Sequence, residues 1–89
     1  MLEITQTGQF KRDYKREKAG QAGFEADLKT VIAQLANSQP LPKANKDHPL
    51  KGKWKGYRDC HIRPDLVLIY RRTKKVLELV RIGSHSEIF

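Results

Sequence analysis

The chain has 89 residues, enough for a single domain whose core is one sheet under one helical layer. Its formal charge is +8, from 18 Lys and Arg against 10 Asp and Glu, with +3 up to Lys46 and +5 beyond it. That balance points to nucleic acid, the ribosome or an acidic protein as partner. The lone Cys60 excludes an internal disulfide, and no stretch has the length of a membrane span or the run of a signal peptide, so a cytoplasmic protein without a membrane partner is expected.

Leu2 to Gln6 alternates and is β-branched, which predicts a first strand. Thr7-Gly8 then turns the chain. Gln9 to Lys18 carries Phe10 and Tyr14 four apart on a charged background, an amphipathic helix ended by Ala19-Gly20. From Ala22 to Ala36 a second helix is clearer: Phe24, Leu28, Val31, Ile32 and Leu35 make one apolar stripe on a 3.6-residue period. Asn37 to Lys53 holds Pro40, Pro42, Pro49 and Gly52, has no periodicity, and reads as a long functional loop. Three strands follow, Tyr57 to Ile62, Leu66 to Arg72 and Val76 to Ile82. The turns between them, Arg63-Pro64-Asp65 and Thr73-Lys74-Lys75, are short enough to imply antiparallel hairpins. The expected fold is one α+β domain over residues 1–89, β-α-α-β-β-β, with two helices on one face of a small antiparallel sheet and the other face free for a ligand.

All three histidines lie in the second half, among cations. In an extended strand Tyr57, Asp59 and His61 share one face and Arg58, Cys60 and Ile62 the other. Cys60 and Ile62 suit the helix-covered side, which leaves Asp59 and His61 on the open face, close enough for the carboxylate to orient or charge the imidazole. Asp65 follows just past the turn. His48 sits in the loop and His85 after Gly83-Ser84, and each by itself reads as a surface residue. If the last strand neighbours the others, however, loop, strand and strand end meet at one rim. Imidazole takes and gives protons near neutral pH, so such a rim suits acid–base chemistry. Arg81, in an otherwise apolar strand, is either the partner of Glu78 or Asp59 or a clamp for phosphate. Lys51, Lys53 and Lys55, with Trp54 between them, suit a polyanion with stacking bases, as does Phe89; Trp54 equally suits covering the core edge. His48, His61 and His85 lie 13 and 24 residues apart without a second cysteine, which is no metal-ligand spacing, and no glycine-rich phosphate loop is present. No metal or cofactor is expected.

The run Lys46-Asp47-His48-Pro49-Leu50, then Gly52, Trp54-Lys55-Gly56-Tyr57-Arg58-Asp59, His61, Pro64-Asp65 and Leu68-Ile69-Tyr70, with Arg81, Gly83, His85 and Phe89, resembles the YafQ family of bacterial toxins, in the RelE/ParE superfamily. The element order resembles that family over the whole chain. The resemblance implies a RelE-like fold and a type II toxin that acts as a ribosome-dependent mRNA endonuclease in the A site. Its partners would be the 70S ribosome, mRNA and an acidic cognate antitoxin of the DinJ/RelB kind. It further implies that His48, His61, Asp65 and His85 handle protons, that Asp59 supports His61, that Arg81 holds phosphate and that Phe89 positions a base. The ribose 2′-hydroxyl would then attack the adjacent phosphorus without a metal. The rival readings are a non-catalytic RNA- or ribosome-binding module and a gyrase-directed toxin of the ParE branch, which is not expected to carry this histidine set.

Overall fold

A computed structural model describes residues 1–89. The order is β1 (Glu3–Gln6), α1 (Gly8–Gly20), α2 (Phe24–Ala36), β2 (His48–Pro49), β3 (Arg58–Arg63), β4 (Leu66–Arg72), β5 (Val76–Gly83) and a single helical turn, α3 (His85–Ile88). Two further turns of 3-10 helix, Lys43–Asn45 and Gly52–Trp54, interrupt the proline-bearing loop. No helix is long and apolar enough to cross a membrane.

α1 starts at Thr7, whose hydroxyl accepts the Phe10 N–H at 2.9 Å and so satisfies one of the donors that a helix start leaves unpaired. Its buried side is Phe10, Asp13 and Glu17. α2 begins at Gly23, held at φ +79°, a left-handed conformation open to glycine at no steric cost. Its stripe Phe24, Leu28, Val31 and Leu35 is buried as the periodicity predicts, with Ile32 half-buried at the edge. These residues pack on Cys60, Ile62, Leu66, Leu68, Tyr70, Leu77, Leu79 and Ile82, which line one face of the sheet. Each fully buried aliphatic or aromatic side chain adds roughly 1.5–3 kcal/mol.

The strand order is β1-β5-β4-β3-β2. β2 through β5 pair antiparallel, as the short turns imply, but β1 runs parallel to β5, with Glu3 opposite Val76 and Gln6 opposite Leu79. The sheet is therefore mixed rather than purely antiparallel. A hairpin fixes the direction of the strand after it, whereas β1 reaches the sheet through two helices, so no turn next to it sets its direction. β1 pairs with only the first half of β5. Beyond Leu79, α1 takes over that edge. The Thr7 hydroxyl donates to the Val80 carbonyl at 2.7 Å, Asp13 accepts the Ile82 N–H at 3.2 Å, and Arg16 donates to the Ile82 carbonyl at 3.2 Å.

The second face is less free than the sequence implies. Val67 and Ile69 on that face are fully buried, and Ile88 of α3 is 6 % exposed. α3 follows β5 directly and sets His85 against His61 of β3, so it closes part of the face and leaves a rim open.

Candidate active site

Pairing places His48 opposite Asp59 and Asp59 opposite Ile69, which in turn lies opposite Arg81. Residues opposite each other point to the same side of a sheet, so this row crosses the open face from β2 to β5. The next row is His61, Val67 and Gly83. His85 comes just after it, and its ring lies 5.2 Å from that of His61 and 5.8 Å from that of Phe89. The loop, β3 and the end of β5 do meet at one rim.

His48 is half-exposed, and its Nδ1 lies 2.6 Å from the Lys46 carbonyl and 3.1 Å from Asp59 Oδ1. Both neighbours are acceptors, so Nδ1 carries the hydrogen and Nε2 keeps its lone pair when the ring is neutral. The N–H is spent on the carbonyl, so the Asp59 contact is electrostatic and Asp59 Oδ1 has no hydrogen bond. Lys46 presents that carbonyl from a left-handed backbone at φ +49°, a conformation that costs a non-glycine residue about 1–2 kcal/mol.

Asp59 is 2 % exposed. Burial raises its carboxyl pKa above the ordinary range. The charges of His48, His61 and His85 pull the other way without overcoming it. Besides His61, the neighbour that alternation along β3 gives it, Asp59 has His48 against its Oδ1 from across the β2–β3 pair. A same-strand neighbour was visible in the sequence, whereas the cross-strand partner becomes visible only with the β2–β3 register. Asp65, in the β3–β4 turn, is largely exposed and comes within 3.9 Å of His85 Nδ1 through Oδ1.

Arg81 pairs with neither Glu78 nor Asp59. Its Nε and Nη2 donate to the two oxygens of Asp13, each at 3.0 Å. This occupies one edge of the guanidinium and leaves the Nη1 donors and the outer edge free. Glu78 pairs with Arg71 instead. Lys51, Lys53 and Lys55 are exposed on the β2–β3 connection. Trp54 is half-buried and packs edge-on against Tyr57, centroids 5.5 Å apart, while Phe89 is 51 % exposed.

Two residues that fix the rim were not singled out as site residues from sequence. Asp47 accepts hydrogen bonds from Arg58 and from the buried Tyr70 hydroxyl, tying the start of β2 to the core. Burial, reinforced by Asp47, pushes the Tyr70 phenol pKa up, so it remains a neutral donor. Asn45 donates through Nδ2 to the His61 carbonyl at 2.7 Å. Asp47 was legible within the quoted motif; its role needed the fold. Cys60 lies on the helix-covered face, and burial pushes its thiol pKa far above the usual value, so it is no nucleophile. No group of three or more His, Cys, Asp or Glu side chains is arranged to hold a metal ion. The largest cleft, about 330 Å³, lies between α1 and α2 and is lined by Phe10, Tyr14, Leu28, Ile32, Gln6 and Leu79. The histidine rim is a shallow surface away from it.

The sequence model of the bacterial toxin of type II toxin-antitoxin system, YafQ, matches residues 2–89. The chain belongs to the YafQ toxin family. It is 39 % identical over 87 residues to the mRNA interferase toxin YafQ of Escherichia coli K12, covering 98 % of this chain and 95 % of that protein. YafQ in the E. coli DinJ–YafQ complex has the same fold, with a TM-score of 0.89 at 41 % identity over 100 % of this chain and 99 % of that one. A metal-bound toxin from Helicobacter pylori gives a TM-score of 0.92 at 44 % identity over the full length of both. The mixed sheet with two helices on one face is thus the YafQ fold.

Proposed function

We propose that this chain is an mRNA interferase, an endoribonuclease that cuts translated message in the ribosomal A site. The observation carrying the reading is the convergence of His48, His61 and His85 around the buried Asp59 carboxylate. The roles divide on geometry. His48 has its Nδ1 hydrogen fixed by the Lys46 carbonyl and its Nε2 lone pair available, so it serves as general base for the ribose 2′-hydroxyl. His85, beside Asp65 and His61, carries the proton that passes to the leaving 5′-oxygen. The 2′-oxygen bonds to phosphorus as the phosphorus–5′-oxygen bond breaks, giving a 2′,3′-cyclic phosphate and a 5′-hydroxyl. Arg81, through the donors that Asp13 leaves free, stabilises the charged phosphorane. Phe89, half-exposed next to His85, stacks on a base, and Lys51, Lys53 and Lys55 meet phosphates.

A relative's complex with DinJ and the +8 charge of this chain support an acidic antitoxin as its partner. The metal-free step rests on the donor arrangement, in which the imidazoles form no three-ligand group. Since a relative from H. pylori binds metal, this step needs its own test: stoichiometric zinc or copper held by these histidines in the pure protein would overturn it.

The main test is primer-extension mapping of message ends after induction, paired with thermal melting and ribosome binding. His85→Ala should stay folded and ribosome-bound while cleavage falls about a hundred- to ten-thousand-fold. Wild-type cleavage by the folded variant removes His85 from the chemistry. DNA damage signalling without cut message would point to gyrase instead.

A further inference from the structure

His85 and Phe89 owe their positions to one turn of helix. α3 has four residues, and so short a helix does not persist by itself, because nucleation fixes several dihedral angles for a single hydrogen bond. The His85 imidazole does not anchor the turn either. The carboxylate oxygen nearest to it is 3.9 Å away, beyond hydrogen-bond reach, and its other neighbours are the rings of His61 and Phe89. Whatever fixes α3 therefore fixes His85.

We propose that Glu87, ion-paired with Arg16 of α1, is the positioning residue that holds His85 at the scissile phosphate. This rests on the reading of His85 as proton donor and names what keeps it in place. Glu87 uses its two oxygens differently. Oε1 accepts the Ser84 N–H and the Ser84 hydroxyl, each at 2.9 Å, and Ser84 accepts the Glu87 N–H in return, which closes a capping box. Oε2 lies 3.2 Å from Arg16 Nε as an ion pair, the single Nε hydrogen going to Glu17. Arg16 is itself anchored. It donates to the Ile82 carbonyl at 3.2 Å, to Asp13 at 3.2 Å and to Glu17 at 3.0 Å. A Cβ on Gly83 would stand 2.9 Å from Arg16 Nη2 and 3.3 Å from Glu87 Oε1, so the glycine makes room for the bridge. Both side chains are partly exposed, and an ion pair of that kind adds little to global stability. Its effect lies in where α3 sits, not in whether the domain folds.

Two variants attack the bridge from opposite ends. Glu87→Gln keeps an acceptor for Ser84 and loses the ion pair; Arg16→Ala leaves the capping box whole. Each is assayed in the full chain for cleavage on ribosomes programmed with message, for melting temperature and for the three imidazole proton resonances. Both should lower kcat by up to about a hundredfold with KM nearly unchanged, since a displacement of about an ångström costs that much. The His85 resonance should move while that of His48 stays. Placed in the His85→Ala background, neither substitution should lower the residual rate further. Wild-type kcat with an unmoved His85 resonance in both variants, beside an inactive His85→Ala protein, overturns the positioning role alone. A further fall in the His85→Ala background also overturns it, since Glu87 and Arg16 would then act through something else. A fully active His85→Ala protein instead removes the reading on which the proposal stands.

Discussion

Asp13 and Asp59 are both buried, 0 % and 2 % exposed, yet the molecule treats them in opposite ways. Asp13, at the seam of α1 and β5, accepts hydrogen bonds from Arg81, Ile82, Gln9 and Arg16. Burial alone would raise its pKa, but the hydrogen bonds from Arg81, Gln9 and Ile82 overcome that and hold the carboxyl below the usual range. Asp59, on the rim, keeps one oxygen without a hydrogen bond, and there burial wins over the pull of three imidazoles. A satisfied buried carboxylate fastens one element to another. An unsatisfied one leaves part of its charge to act on whatever approaches. The seam is frame and the rim is the proposed working surface, although the residue type is the same.

Removing the seam's carboxylate is the largest blow available to this contrast. Asp13→Ala should cost about 3–5 kcal/mol in urea unfolding, because it strands the Arg81 guanidinium and orphans the Ile82 N–H. A loss near zero would mean that the seam is not frame. Asp59→Asn, at the same degree of burial, should change stability by no more than about 1 kcal/mol near neutral pH, since it removes a charge whose burial is unfavourable. It should still slow cleavage, and a drop in stability like that of Asp13→Ala would erase the distinction.

The two carboxyls also predict opposite slopes with pH. Asp13 has a lowered folded pKa, so its contribution is present above the ordinary value near 4 and is lost as pH falls through the folded value. Asp59 has a raised folded pKa, so its penalty is absent below about 4 and sets in as pH rises through the folded value. Asp13→Asn should flatten the acid limb of the stability profile and Asp59→Asn the limb above it. The reverse pattern would mean that the two assignments are exchanged.

The smallest expected effect on the fold comes from the exposed loop. Lys51→Ala, Lys53→Ala and Lys55→Ala together should leave melting unchanged, while the logarithmic salt dependence of ribosome binding becomes shallower by about 3. An unchanged slope would place this loop away from phosphate.

Local patterns were readable in the sequence, and long-range partners were not. The α2 stripe and the limits of β4 followed from periodicity and turn residues, which act over a few positions. The faces of β3 also followed, because alternation alone sorts Cys60 and Ile62 from Asp59 and His61. The rim could be placed only conditionally, since His48 meets Asp59 through strand register. The Asp13–Arg81 pair spans 68 positions, and no spacing rule reaches that far. α3 is a different miss. One turn is too short to show a period, but Ser84-His85-Ser86-Glu87 has the spacing of a capping box and was open to being read.

The parallel pairing of β1 with β5 has a consequence in time. Thr7 and Val80, which join across that seam, are 73 positions apart. Ribosomes add about 5–20 residues per second, so the first strand waits roughly 4–15 s before its neighbour exists. Until then the stripes of α1 and α2 have no completed sheet to lie on, and the turn that carries His85 has yet to be made. The proposed catalytic rim is therefore assembled late in synthesis: it waits for β5 and the turn after it, although its fold begins at the first strand.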